Sequence, residues 1–134
     1  MTSNDYFSIC TKIAQILSEI PGLRAVDAEQ AATQRTAPVG ATAVVVFGGE
    51  TVQERIGDHA LSTTQSYDVI LMCRGALQTG SSDGALVSAV ISKLHASRPG
   101  ASGRLYYTGA TSDFEDNARY YTLNFSISRV QELA

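Results

Sequence analysis

The apolar residues near the start of the chain fall at helical spacing. Tyr6, Ile9, Cys10, Ile13, Ile16, Leu17 and Ile20 lie at i, i+3, i+4, i+7, i+10, i+11 and i+14, one stripe of an α-helix. Ser3 or Asn4 can cap its first amides, Asp5 suits the positive end of its dipole, and Pro21-Gly22 ends it. Seven stripe positions need a broad partner surface, so the pattern predicts a helix lying on a sheet.

The spacing then changes to that of strands. Leu23–Val26 reads as a short strand, and Asp27–Gly40, rich in Ala, Gln and Thr, as a short helix or an irregular excursion. Thr42–Phe47 has the β-branched density of a buried strand, with Gly48-Gly49 as its stop. Thr51–Ile56 continues as a strand beyond that turn, and Gly57–Thr64 is expected to be a loop. Gln65–Arg74 is the clearest central strand. It sets Tyr67, Val69, Leu71 and Cys73 on one face and Ile70 and Met72 on the other.

After a loop over Gly75–Ser82, a second helix is expected from Asp83 to Ser97. Its narrower stripe is Leu86/Val87, Val90/Ile91 and Leu94, with Pro99-Gly100 closing it. The last third reads as a hairpin with arms Arg104–Thr108 and Arg119–Val130. An acidic loop holding Asp113, Glu115 and Asp116 joins them. In the long arm Tyr121, Leu123, Phe125 and Ile127 alternate with polar neighbours. Tyr120–Ile127 carries no charge, an edge hazard unless another strand or subunit covers it. Strands and helices do not alternate strictly. That order predicts an α+β fold, with a mostly antiparallel sheet of about four to five strands packed by two helices.

Size and composition narrow the class. At 134 residues the chain is expected to form one domain over residues 1–134. With 44% hydrophobic and 17% charged residues, it is neither generally disordered nor a coiled-coil rod. A net charge of −3 argues against nucleic-acid specificity. No apolar run approaches the ~20 residues of a membrane span, and with Asp5 and no early basic cluster no signal peptide is expected. Cys10 and Cys73 read as buried cytoplasmic thiols.

The candidate chemistry is thin. Gly80-Ser81-Ser82-Asp83-Gly84 matches G-x-S-x-G between a strand and a helix, but the only downstream histidine, His95, is on that same helix. Ser81 or Ser82 reads better as a helix cap. His59 and His95 lack partners at metal-ligand spacing, and Asp113–Asn117 lacks calcium-loop spacing. No catalytic, metal or cofactor-binding residue is assigned, no cofactor is expected, and the chain is read as a non-enzyme. Arginine outnumbers lysine eight to two, and interfaces favour arginine. With the uncharged Ser/Thr face of the last strand, this leans toward a subunit that assembles.

The order of elements then takes on a family likeness. A long amphipathic helix ends in Pro-Gly, followed by Glu54-Arg55-Ile56-Gly57 and by the central strand Gln65-Ser66-Tyr67-Asp68-Val69-Ile70-Leu71. A helix over Asp83–Leu94 and a closing hairpin with Tyr120-Tyr121-x-Leu123-x-Phe125 complete the series. This resembles the tail terminator and tail completion proteins of tailed bacteriophages, the group around minor tail protein U. The resemblance implies a ring, commonly a hexamer, on the head-proximal end of the tail tube. Such a ring stops tube polymerisation and offers a head-joining surface. The implied partners are further copies of the chain, the tail tube protein, and a head–tail connector or neck protein. The implied location is the virion tail, with assembly in the host cytoplasm. Arg55, Asp58 and His59, polar residues beside a glycine, and Phe114, an aromatic in a charged turn, are the expected contacts with subunit or tube. The alternatives are a head–tail connector or neck protein and a small ligand-binding α+β domain.

Overall fold

Three long strands carry the fold. The computed structural model describes residues 6–27, 40–58, 60–75, 82–99, 103–115 and 117–132. The elements are α1 (Tyr6–Leu17), β1 (Leu23–Asp27), β2 (Gly40–Ile56), β3 (Ala60–Arg74), α2 (Asp83–Leu94), β4 (Tyr106–Glu115) and β5 (Ala118–Glu132). They form one five-stranded sheet in the order β1-β2-β3-β5-β4. β3 is paired along its whole length on both sides, with β2 (Gly40↔Arg74 to Ile56↔Ala60) and with β5 (Ala60↔Glu132 to Arg74↔Ala118).

The α+β class holds, but the sheet is mixed and not the mostly antiparallel one expected. β1 runs parallel to β2, Leu23 beside Ala41 and Asp27 beside Val45, while the other three ladders are antiparallel. Side-chain alternation has period two in either direction, so it carries no trace of strand direction. The expected excursion over Asp27–Gly40 falls, apart from its first and last residues, outside the described residues.

Other boundaries move for identifiable reasons. Gly48-Gly49 does not end β2. The strand passes through a bulge between Phe47 and Gly49, where Gly49 takes φ 133°, a conformation glycine adopts without steric cost. The loop expected over Gly57–Thr64 shrinks to a turn led by Gly57 at φ 70°, and β3 already begins at Ala60. The acidic loop is also mostly strand. Asp113, Phe114 and Glu115 lie in β4, and Asn117 at φ 62° occupies the turn to β5. The uncharged run Tyr120–Ile127 is interior, because β3 covers one side of β5 and β4 the other.

Both helices lie on one face of the sheet. Ile9, Cys10, Ile13, Ala14 and Leu17 of α1 and Leu86, Val90 and Leu94 of α2 are buried in one core. With them are Ala43 and Val45 of β2, Tyr67, Val69, Leu71 and Cys73 of β3, and Leu123, Phe125 and Ile127 of β5. This is the period-two face read from the sequence. The opposite face, with Val44, Val46, Ile70, Met72, Tyr120 and Thr122, is half-buried, and none of these residues joins the core. Ser82 caps α2, its Oγ accepting from the Ala85 amide at 3.1 Å.

A one-sided core has an energetic signature. Leu71→Ala, beneath the helices, should cost about 2–5 kcal/mol. Ile70→Ala, one residue along on the open face, should cost roughly half as much or less, since fewer contacts are lost. Urea unfolding of the two variants measures the difference.

Candidate assembly surface

β2, β3 and β5 outrun the rest of the sheet at one end. β1 pairs only with residues 41–45 of β2, and β4 reaches along β5 only to Ser126. Beyond those limits the β2–β3 hairpin and the end of β5 project as a three-stranded tongue. Thr51–Arg55 are all exposed along it, Val52 at 54%. Arg55 and Asp58 sit exposed at its tip around Gly57, while His59 lies outside the described residues. Phe114, 68% exposed, stands at the opposite end of the sheet. Arg55 pairs with Leu61, and Phe114 is level with Cys73 through Arg119. Twelve strand residues separate Leu61 from Cys73, roughly 40 Å. The expected contact residues therefore form two separate sets at opposite ends of the sheet.

The root of the tongue is held by a chain of polar side chains, its inner end buried, that sequence reasoning missed. The Tyr67 hydroxyl donates to Gln65 Oε1 at 2.8 Å, and Gln65 Nε2 donates to Glu50 Oε2 at 3.0 Å. Tyr6 at the start of α1 donates to the other Glu50 oxygen at 2.6 Å. Tyr6 also stacks on Phe47, ring centroids 4.3 Å apart, and Phe47 leans on Tyr67 at 5.6 Å. Gln65 and Tyr67 are fully buried, so their polar atoms need these partners. The chain ties the first turn of α1 to the base of the tongue. Alternation puts Gln65 on the same face as Tyr67, but the Glu50 that satisfies it lies on the neighbouring strand and shows only in the structure.

A second tie fixes α2 at the other end. Arg119 on β5 donates through Nε and Nη2 to the two Asp83 oxygens, and again through Nη2 to the Gly75 carbonyl at 2.9 Å. The Tyr121 hydroxyl donates to Asp83 at 2.6 Å. The Arg119 hydrogen bond, helped by that of Tyr121, holds the Asp83 carboxyl below its ordinary range, against a smaller opposing effect of burial. Arg119 was among the arginines read as interface material; it is used inside the fold.

The remaining chemistry is dispersed. Ser82 and His95 cap opposite ends of α2, about 20 Å apart along the helix axis. His95 Nδ1 accepts from the Tyr107 amide at 3.1 Å. Among the described residues no three His, Cys, Asp or Glu side chains gather as metal ligands, and no helix is long and apolar enough to cross a membrane. Cys10 and Cys73 are buried and unbonded to each other. Burial, aided by Asp27 near Cys10 and Asp83 near Cys73, pushes both thiols up to about 11.

No known protein family and no curated protein sequence matches the chain. A solved structure does. A chain in the virion of the native gene transfer agent (GTA) particle is similar over 89% of this chain and 84% of that one, with a TM-score of 0.51 and 17% identity. The likeness is one of fold. It spans the α1–sheet–α2–hairpin order and not a fragment of it.

Two measurements check the geometry. Gln65→Met removes the hydrogen bonds that this buried side chain makes with Tyr67 and Glu50 and should cost about 1–3 kcal/mol, whereas adding Tyr67→Phe should cost less than the sum of the two singles. A double-mutant cycle in urea reads the coupling. Both thiols should react with a disulfide reagent at pH 8 only on unfolding, because burial removes both access and thiolate. Rapid labelling of either in the folded protein would contradict the packing.

Proposed function

We propose that this chain is a structural protein of a phage-like virion. It acts as a tail terminator: a ring of copies, six by the family resemblance, closes on the head-proximal end of the tail tube. The ring stops further tube growth and presents a surface to a head–tail connector or neck protein. The role is non-enzymatic, with assembly in the host cytoplasm and a final place in the virion tail. The observation that carries this reading is the fold likeness, over nearly the whole length of both chains, to a chain in a gene transfer agent virion.

The surface supports it in physical terms. A closed ring needs a heterologous contact, in which two different patches of one subunit meet on its neighbours. The chain presents two separated exposed sets, Arg55 and Asp58 on the tongue and Phe114 at the far end of the sheet. Arg55 and Phe114 are carried on strands and Asp58 on the short turn that joins β2 to β3, so the ladders set their positions. In this scheme the tongue reaches the neighbouring subunit or the tube, and Arg55 and Asp58 pair with opposite charges there.

Native mass spectrometry over a concentration series tests the lateral contact. Wild type should populate a discrete ring that grows with concentration. Arg55→Glu and Asp58→Lys should each lower the ring fraction about tenfold, the effect of roughly 1.4 kcal/mol per contact. Unchanged ring formation by both single variants would remove these residues from the contact.

A further inference from the structure

We infer that the outer edge of β4 is a binding site for an extended segment of another polypeptide, one in which basic and apolar residues alternate. The segment adds as a sixth strand beside β4. The site takes in Phe114, one of the two exposed sets named above, but its test reads peptide binding and not ring formation.

The edge is open where it matters. Among the described residues β4 pairs only with β5 and is the last strand of the sheet. Its residues 110–115 are all exposed. After the bulge between Tyr107 and Gly109 the strand runs without irregularity to Glu115. The Phe114 amide donates to the Asp113 side chain at 2.8 Å and not across the ladder. Amides of an antiparallel strand alternate in direction, so those of Ala110 and Ser112 also point away from β5. They form a row of donors available to an incoming strand.

The two faces of this edge differ in chemistry. On the helix side Ala110 and Ser112 are small, and α2 brings Gly84 and Val87 opposite them. A groove of about 420 Å³ results, with Tyr121 and Leu123 in its floor. Phe114 stands exposed beyond it, on the same face by period-two alternation. On the other face Asp113 and Glu115 follow Thr111, both carboxylates exposed, with no basic residue on β4. An added strand would place alternate side chains in the apolar groove and the others beside the two carboxylates. Apolar residues fit the first set and Lys or Arg the second. A second copy of β4 would bring like charges to the same edge, and the whole chain carries a net charge of −3. The occupant that fits is therefore a basic partner.

The probe is an acetylated ten-residue peptide alternating Lys and Val, compared with its Glu/Val counterpart. Binding is followed by amide shifts of the isotope-labelled protein and by fluorescence anisotropy. The Lys peptide should shift residues 110–115 with Gly84 and Val87, bind about tenfold tighter than the Glu peptide at low salt, and weaken as salt rises. Ser112→Pro removes an outward amide without touching the β5 ladder and should weaken binding about tenfold. Asp113→Lys with Glu115→Lys should reverse the preference between the peptides, which keeps the test valid if the proline variant misfolds. Equal binding of the two peptides, or shifts confined to other residues, would overturn the assignment. Self-association that Ser112→Pro abolishes would also overturn it, giving the edge to a second copy.

Discussion

Every other feature of this structure depends on β3 being hydrogen-bonded on both sides along all its residues. A strand so placed has no freedom of register. A one-residue slip would carry Tyr67, Val69, Leu71 and Cys73 out of the core and put Asp68, Ile70 and Met72 under the helices. The two flanking strands inherit that register, so β2, β3 and β5 act as one plate. The helices need only cover its apolar face, and the half-buried opposite face follows from the same alternation. The plate also explains why the tongue can project past β1 and β4, since three paired strands still satisfy the backbone of the central one.

The two polar ties lie at opposite ends of the core face of β3. At the tongue root, Tyr6, Glu50, Gln65 and Tyr67 link α1 to the sheet by hydrogen bonds. At the other end, Asp83, Arg119 and Tyr121 do the same for α2. Between them Leu17 and Leu94 are buried in the core that both helices share. Directional bonds at both ends and non-directional packing in the middle fix each helix in rotation as well as in distance. A body held in this way presents its tongue and its β4 edge in set positions, a property suited to a subunit that must meet neighbours at defined angles.

Much of the fold was legible because it rests on periodicity. Ile9, Cys10, Ile13 and Leu17 of the α1 stripe, the inward face of β3, and Leu123, Phe125 and Ile127 of β5 lie in the core as the pattern predicts, with Ile16, Ile20 and Tyr121 half-buried against it. The parallel β1–β2 ladder was not legible, because pairing direction leaves no mark on one strand's residues. Glycines misled at Gly48-Gly49, where a bulge does locally what a turn would do. The acidic stretch misled in the opposite sense: Asp113 and Glu115 are poor strand formers, but they lie on an edge where charge is tolerated and helps to prevent indiscriminate pairing. At the surface, Arg55, Asp58 and Phe114 are exposed, while their separation along the sheet could come only from the register. Gln65 and Arg119 are structural, and the sequence did not show it because Glu50, which closes the Gln65 chain, and Asp83, which Arg119 holds, are distant from them in sequence.

The role proposed for this fold is to close a ring on the end of a tail tube. Electron microscopy of tail tube protein polymerising with and without this chain tests it most directly. The account predicts short tubes of limited length, each with a ring of density at one end, when the chain is present in slight excess. Tubes of unchanged length with bare ends would contradict it.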